Sequence, residues 1–387
     1  MPHQRSTSSP IPLLIAAAVL LGPSRAWPAE PAAALGRLET VPPTPSRIPD
    51  DNRLQAWLKP GHWTATFVAA EAKHRDVLAA LELSAIDAEG RPLPLAARPY
   101  GLVVGRPAAL ARRHLKRLQS VLIVGDPGEP VRVRARLISR SEREPSAERL
   151  TPLGLMPSYQ YHLVVLAGRP RPYRDLDRLP SIRPPSDALV GPAGAAHYRV
   201  CLADPTRPAS LPELAARWSS IAHVIWDDWP AGRLTGGQQQ AMLDWLHFGG
   251  GLIVSGPGSL DRLRGSFLEP YLPARRTGPR EFGTEQLAAL ADWREVDGGR
   301  RLRLSQPIAG VELELTDPVR ARFLPRLGRM FAERRVGRGR VIVSAVPLSD
   351  PRLTRWPGWD DLVNACLLRR PPRRFSVNEL GGAEVHC

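Results

Sequence analysis

The chain contains little cysteine. Its 387 residues include only Cys201, Cys366 and Cys387, and no C-x-x-C pair occurs. Three scattered cysteines are too few for a disulfide framework or a cysteine-based zinc site. Cys201 lies in a strand-like stretch and Cys366 in a helix-like one, so we predict that both are small buried hydrophobes rather than reactive thiols. An exported protein could link these two by a disulfide bond, although nothing in the sequence requires it.

Lysine is scarce, although the chain is strongly basic. The formal net charge is +15, from 53 Lys plus Arg and 38 Asp plus Glu, and the lysines are Lys59, Lys73 and Lys116. No signature of a DNA- or RNA-binding module accompanies the basic residues. We therefore predict an arginine-rich solvated surface and no nucleic-acid partner. Electrostatic attraction to anionic lipid or polymer stays open, so contact with a membrane surface is one hypothesis for a partner.

Long apolar runs are absent after the first residues. The run 11–21 follows Arg5 and precedes small residues at positions 24 and 26, which is the pattern of a secretory signal peptide. This run is too short for a comfortable membrane span, and an uncleaved anchor is the alternative. We predict a signal peptide over 1–26, cleaved after Ala26, and an exported protein of the periplasm or cell envelope.

Several motifs of enzyme active sites are missing as well. The sequence has no H-E-x-x-H, no Walker loop and no G-x-G-x-x-G, and no histidine occurs between His247 and His386. We predict no cofactor and no metal. The oligomeric state and the identity of a ligand do not follow from the sequence.

A βαβ unit is present in the stretch 221–258. Ala222–Trp226 and Leu252–Val254 are short apolar runs typical of strands that are buried on both faces. Between them, Thr235 and Gln238 have the spacing of a T-x-x-Q capping box at the start of a helix. Residues at helical spacing give that helix one face toward a sheet: Met242, Trp245, Leu246 and Gly249. A glycine triplet then ends the helix.

The order of patterns along the chain predicts five segments. They are a signal peptide (1–26), a proline- and alanine-rich linker (27–53), a β-sandwich-like domain (54–145), an α/β domain (150–370) and an unstructured tail (371–387). Short strands between turn residues predict the β-sandwich: 63–68, 81–86, 120–124 and 131–138. In the last of these, apolar residues alternate with Arg132, Arg134 and Arg136, as in a half-exposed antiparallel strand. The polar stretch 139–146 is predicted to be a linker.

After Pro157, strands and helices alternate, which predicts an open, mostly parallel sheet with right-handed crossovers. Besides the central unit, the predicted strands are 161–166, 198–202, a short strand at 313–315, 330–336 and 340–345. The last two form a hairpin across the turn at 337–339. The predicted helices are 173–179, 211–219, 260–271, 285–293 and 360–368.

The carboxyl ends of the central strands carry the candidate site. Ligands of open α/β sheets bind beyond these ends, which are occupied here by two groups of residues: Asp227, Asp228 and Trp229, then Ser255, Gly256, Gly258 and Ser259. A carboxylate pair beside a glycine-rich turn could bind a cation or position a water, with Asp227, Asp228 and Ser255 as catalytic candidates. Trp229, Gly256, Gly258 and Ser259 would then contact a ligand. The simpler interpretation is that these residues only close the ends of buried strands.

Ser255 follows a strand, as the serine of a nucleophile elbow does. The elbow motif G-x-S-x-G has glycine two positions before and after the serine, whereas Ile253 and Pro257 occupy these positions here. No histidine is clearly supplied as a base. The histidines of the α/β region are predicted to be packed or surface residues: His162, His197, His223 and His247.

Two stretches resemble class I glutamine amidotransferase-like domains. HVIWDDWPAGRLTGGQQQAMLDWLHFGGGLIVSGPGS is similar to the family's strand, crossing helix and glycine turn into the next strand, and RVGRGRVIVSAVPLSD is similar to its late hairpin. The resemblance spans roughly 159–368. It implies a flavodoxin-like or amidotransferase-like α/β sheet, and the whole arrangement is similar to exported bacterial proteins that carry this domain after a β-sandwich.

Catalytic members of that family use a cysteine at a strand-to-helix elbow, with a downstream histidine and acidic residue. None of these carries over, since Cys201 has no glycine elbow around it and no histidine lies between His247 and His386. The resemblance therefore implies the catalytically inactive branch, which serves as a binding or assembly scaffold.

Three hypotheses follow for the function. The leading one is a non-enzymatic exported protein that binds a protein or a cell-envelope component. The alternative is a hydrolase or metal-assisted enzyme that uses Asp227, Asp228 and Ser255. A third hypothesis, polyanion binding through the arginines, predicts retention on heparin that falls steeply with salt.

Overall fold

The structure is a computed structural model. It describes residues 31–42, 57–87, 89–93, 102–125, 131–139, 145–182, 197–207, 209–290, 304–370, 374–377 and 383–386. The chain divides into two units, Met1–Pro31 and Ala32–Cys387, and the description below concerns the second. The predicted signal peptide, 1–26, lies outside the described residues. Within the described ranges, no helix is long and apolar enough to span a membrane.

The first part of the second unit consists of strands. Those described before residue 156 are β1 (Ala33–Val41), β2 (Trp57–Leu58), β3 (Thr64–Ala72), β4 (Val77–Ile86), β5 (Leu102–Val104), β6 (Ala108–Leu110), β7 (Leu115–Leu122), β8 (Val131–Ser139) and β9 (Ala147–Leu155). One sheet has the order β1-β3-β7, and the other has the order β2-β9-β8-β4-β5, with β6 also paired to β4. Side chains of both sheets share one hydrophobic cluster, which includes Leu38, Val68, Leu83 and Val133.

The alternation predicted for β8 is confirmed. Val133 and Leu137 are fully buried, whereas Arg132, Arg134 and Arg136 are half-buried on the other face. The linker predicted over 27–53 is wrong, since this stretch contains β1. Residues 140–144 of the linker predicted over 139–146 lie outside the described residues, and β9, which begins at Ala147, pairs antiparallel with β8. A bulge at 35–38 breaks the period-two pattern of β1, and β9 contains a proline and a glycine, which argue against a strand in sequence.

A mixed seven-stranded sheet follows. Its strands are β10 (Gln160–Ala167), β11 (His197–Leu202), β12 (Ile221–Asp227), β13 (Gly251–Ser255), β16 (Ala321–Phe323), β17 (Phe331–Val336) and β18 (Gly339–Ser344). The order is β11-β10-β12-β13-β18-β17-β16. The first five strands are parallel to one another, β17 is antiparallel to β18, and β16 is antiparallel to β17. The predicted hairpin of 330–336 with 340–345 is confirmed as β17 and β18.

The other described strands form two separate two-stranded sheets. β14 (Ala274–Phe282) pairs with β15 (Ile308–Leu315), and β19 (Arg374–Val377) pairs with β20 (Ala383–His386). The second pair corrects the prediction of a tail without structure over 371–387. The described chain is therefore mixed α/β, with more strand than helix and several separate sheets.

The helices are few and mostly short. They are α1 (Gly236–Phe248), α2 (Gly256–Leu263), α3 (Thr284–Ala288), α4 (Pro351–Thr354) and α5 (Trp359–Asp361), which continues as a π-helical turn, Leu362–Leu367. 3₁₀ turns accompany them, among them Arg171–Tyr173, Leu176–Arg178, Ala215–Trp218, Ala231–Arg233 and Glu269–Tyr271.

The start of α1 confirms the capping box. The Thr235 hydroxyl accepts from the Gln238 backbone N–H at 3.2 Å, and the Gln238 side chain accepts from the Thr235 N–H at 3.0 Å. Gln238 also donates to the carbonyls of Ala209 and Leu211. The capping residue Gln238 therefore connects the start of α1 to the segment between β11 and β12.

Three predicted helices are wrong in extent. The stretches 173–179 and 211–219 contain only 3₁₀ turns, and 260–271 divides into α2, which begins at Gly256, and a 3₁₀ turn. Gly265 has a φ of +71°, which ends the third.

Candidate functional site

Parallel strands bring the predicted site residues to one edge of the seven-stranded sheet. Ala167, Asp227 and Ser255 occupy the same register at the ends of β10, β12 and β13. The chain leaves β10 for β11 on one side and returns to β12 on the other. This reversal of direction is where open α/β sheets form a ligand-binding crevice.

A buried hydrogen-bonded cluster lies at this edge. The Tyr173 hydroxyl donates to Asp227 Oδ2 at 2.7 Å and lies 3.3 Å from Ser255 Oγ. Ser255 Oγ accepts from the backbone N–H of Leu348 at 2.9 Å. Tyr173 and Ser255 are each 1% exposed. The structure thus joins Asp227 and Ser255, as the sequence predicts, through a tyrosine that the sequence did not single out.

Burial raises the pKa of Asp227 above its ordinary value. Hydrogen bonds from Tyr173, Ser349 and Ser255 oppose that rise, and the charge of Asp228 adds to it. Burial, followed by the Asp227 charge, raises the pKa of Tyr173 well above its usual range. Among the described residues, no ion pair joins Asp227 to an arginine. Burial outweighs these hydrogen bonds, so Asp227 holds its proton to higher pH than a surface aspartate does.

Asp228 lies in a different environment from Asp227. Its φ of +55° turns the chain at the end of β12, its backbone N–H donates to Ser259 Oγ at 2.8 Å, and its carboxylate pairs with Arg262 of α2. The two neighbouring carboxylates therefore have separate partners, one among hydroxyls and one with a cation.

The four residues predicted to contact a ligand are built into the framework of the turns. Trp229 is fully buried, and its carbonyl accepts from the Trp226 indole at 2.9 Å. Ser259 is also fully buried and donates to the Ser255 carbonyl at 2.6 Å. Gly256 has a φ of +68°, and a β-carbon there would lie 2.9 Å from Pro347. At Gly258, a β-carbon would lie 3.0 Å from the Asp228 carboxylate.

Among the described residues, no cysteine or histidine hydrogen-bonds to Tyr173, Asp227 or Ser255. Cys201 and Cys366 are free buried thiols, so the disulfide left open by the sequence is not formed. Burial raises the pKa of Cys201 to about 12 and that of Cys366 further still. His223 lies four residues before Asp227 along β12, or about 13 Å at the usual strand rise. His162 is buried in β10, and burial lowers its pKa to about 3.

Metal ligands do not gather in the part of the chain that the structure describes. No group of three or more His, Cys, Asp or Glu side chains there could hold a metal ion. Tyr173 and Ser349 are the members of the cluster that sequence reasoning missed. Their positions could have indicated them, because Tyr173 follows β10 and Ser349 follows β18, both at the carboxyl ends of parallel strands.

Comparisons with known proteins give no family. No family model and no curated protein matches the chain. Solved structures with partial similarity include the exo-β-1,4-mannosidase Op5Man5 from Opitutaceae bacterium strain TAV5, at 14% identity and a TM-score of 0.30, covering 54% of this chain and 36% of that one. A Niemann-Pick type C2 protein from the Japanese carpenter ant matches at 9% identity and a TM-score of 0.23, covering 32% of this chain and 93% of the other.

A putative β-galactosidase from Bacteroides fragilis is a third similar structure, at 12% identity and a TM-score of 0.22, covering 51% of this chain and 37% of that one. The chain spans little more than a third of the length of the mannosidase and of this galactosidase. Similarity this weak identifies neither a family nor an activity. The protein is thus defined as a mixed α/β protein with a buried Tyr–Asp–Ser cluster at the switch point of its sheet.

Proposed function

We propose that this protein is a non-enzymatic exported binding protein, in which a catalytically inactive amidotransferase-like domain holds a protein or a cell-envelope component. The observation that carries the proposal is the state of Ser255. Its hydroxyl is buried and already bonded to the Leu348 N–H and the Tyr173 hydroxyl. A nucleophile must reach its substrate, and Ser255, which is only 1% exposed, does not.

The strand order supports the finer fold that this proposal requires. Numbered along the chain from β10, the five parallel strands have the order 2-1-3-4-5, which is the flavodoxin-like order. The two sheets before them share one hydrophobic core, as a β-sandwich does. Export follows from the signal-peptide pattern of residues 1–26, and the positive net charge favours a site near anionic envelope surfaces.

A hydrolase is the second candidate, and one observation favours it. Asp227 lies at the switch-point crevice with a raised pKa, and perturbed acids in such places often act as general acids or bases. In this alternative, Asp227 would exchange a proton with a substrate or a water, and Tyr173 would hold its carboxylate in position. A metal-assisted version would also use Asp228, after release from Arg262.

The purified protein starting at Trp27 tests both functions. Its metal content and its turnover of ester, amide, phosphate and glycoside substrates are measured for the wild type, Asp227→Asn, Ser255→Ala and the half-exposed control Asp317→Asn. We expect no turnover that depends on Asp227 or Ser255. Activity or stoichiometric metal that is lost in Asp227→Asn and kept in Asp317→Asn would establish the enzyme instead. Saturable binding to a cell-envelope fraction, competed by unlabelled protein, is the expected positive result.

A further inference from the structure

A cavity lies apart from the Tyr173 cluster, where strands of the first sheet meet β10 and β11. Its volume is about 450 Å³, which is within the range of about 300–1,000 Å³ typical of small-molecule sites. One wall comes from β1 and β7, and the other comes from β10, β11 and the loop after β11. None of the residues assigned to the Asp227 site lines it.

The floor of this cavity is apolar. Among the described lining residues, Leu38, Val164, Leu166, Leu202 and Leu211 contribute aliphatic surface. Cys201 is the sulfur-containing member, and burial keeps its thiol protonated by raising its pKa to about 12. A floor of this kind favours the hydrocarbon part of a ligand, since burying apolar surface is the main source of affinity in such sites.

The rim is charged, and most of its charges are paired. Arg117 Nη2 lies 2.9 Å from Glu39 Oε2, and Arg207 Nε lies 3.5 Å from Asp204 Oδ2. Asp204 also accepts from the backbone N–H and hydroxyl of Thr206, and these hydrogen bonds are the first cause of its lowered pKa. Both acids of the rim therefore have partners.

Arg37 is the remaining charged residue of the rim. It is exposed, and no ion pair or hydrogen bond of its guanidinium occurs among the described residues. Thr40 and Ser210 add two hydroxyls to the same lining. A ligand that places an acidic group at the rim would supply the charge that Arg37 lacks, with hydroxyl donors nearby.

We propose that this cavity binds an amphipathic molecule with an apolar body and a single anionic group, seated with the apolar body on the floor and the anion at Arg37. The proposal deepens the binding function proposed above, because it names the chemical class of one envelope component. It is tested separately, since failure here leaves saturable binding to the envelope fraction unaffected.

The probe is decanoate, titrated by calorimetry into the protein starting at Trp27, with decanol as the uncharged analogue. We expect saturable binding of decanoate to one site. Arg37→Gln should weaken decanoate binding about three- to fivefold, which is the upper part of the range expected for an exposed ion pair. It should leave decanol binding unchanged. Arg355→Gln, which removes an exposed arginine elsewhere, should change neither.

Location is tested by filling the cavity. Ser210→Phe should abolish binding of both decanoate and decanol while circular dichroism shows an unchanged fold. If Ser210→Phe does not fold, Ala203→Met, at another lining position, takes its place. No saturable binding of decanoate would overturn the proposal. An Arg37→Gln variant indistinguishable from Arg355→Gln, or a folded filled variant that binds as the wild type does, would also overturn it.

Discussion

Two carboxylates of the seven-stranded sheet, Asp227 at the end of β12 and Glu333 in β17, are held in opposite ways. Asp227 has hydroxyl partners, and burial raises its pKa. Glu333 is also buried, with 6% of its side chain exposed, but guanidinium groups surround it. Arg322 donates to Oε1 at 2.8 and 2.6 Å, while Arg340 and Arg369 lie 3.6 and 3.3 Å from Oε2.

This difference separates a chemical site from a structural one. A buried carboxylate among cations fixes its neighbours, because its removal leaves positive charges without their counter-ion. A buried carboxyl among hydroxyls can change its protonation state at a smaller cost, which is what proton transfer requires. We therefore expect proton transfer, if it occurs, at Asp227, and a contribution to stability from Glu333.

The largest expected effect is that of Glu333→Gln. The substitution keeps the size of the side chain and removes the charge that three arginines share. We expect the free energy of unfolding to fall by about 3 kcal/mol, as for other buried ion pairs that lose one partner. Urea denaturation followed by circular dichroism measures it.

The matched control for that variant is Glu312→Gln. Glu312 pairs with Arg329 at 3.5 Å, but both side chains are about half exposed, so the expected loss is below about 1 kcal/mol. Equal losses in the two variants would contradict a structural role for the arginine cluster around Glu333.

Tyr173→Phe should have the second largest effect. The change removes the hydroxyl that donates to Asp227 and contacts Ser255, and it leaves the buried ring in place. We expect a loss of about 1–3 kcal/mol, the usual cost of removing a hydrogen bond to a buried charged group. Tyr271→Phe is the control, since no hydrogen bond of its hydroxyl occurs among the described residues, and it should cost almost nothing. A neutral Tyr173→Phe would mean that the cluster does not stabilise the fold.

The parts of this site that the sequence predicts are local, and the parts that it misses are not. A short continuous apolar run specifies β12 and a T-x-x-Q box specifies the start of α1, because each pattern is contained within a few neighbouring residues. Tyr173 contacts Asp227 across 54 residues of sequence. No pattern near either residue encodes that contact, which depends on the order of the strands.

The same reasoning explains why β1 was predicted to be part of a linker over 27–53. In β1, a bulge shifts the register between Leu35 and Leu38. The apolar residues of β1 therefore do not alternate in the sequence, although both side chains are buried in the fold. The arginines around Glu333 come from β16, β18 and the residue after the last helical turn. Their convergence is likewise a property of topology and not of spacing.

The third prediction concerns pH. Burial raises the folded-state pKa of Asp227, so the folded protein holds this proton more tightly than the unfolded chain does. The stability contribution of Asp227 should therefore decrease as pH rises from the ordinary value of 3.8 through the raised pKa, by about 1.4 kcal/mol for each pKa unit of difference. In Asp227→Asn, this decrease should disappear from the curve of unfolding free energy against pH.

Asp350 provides a contrast of opposite sign. Hydrogen bonds and charge from Arg352 lower the pKa of Asp350. The stability that it contributes should be complete above its ordinary value of 3.8 and should be lost as pH falls through the lowered pKa. For each variant, the difference in unfolding free energy from the wild type is plotted against pH. If the two plots for Asp227→Asn and Asp350→Asn have slopes of the same sign, the environments of the two acids do not shift their pKa values in opposite directions.

The smallest expected effect is the coupling between Asp228 and Arg262. Their ion pair closes the turn beside the Tyr173 cluster, but both side chains are more than 40% exposed. A double-mutant cycle with Asp228→Asn and Arg262→Gln should give a coupling of about 0.2–1 kcal/mol, and it should shrink in high salt because water and ions screen an exposed pair. A salt-independent coupling above about 2 kcal/mol would place Asp228 with Glu333 among the buried structural acids. If the coupling free energy is as small as expected, a ligand can displace Arg262 from Asp228 with little loss of stability.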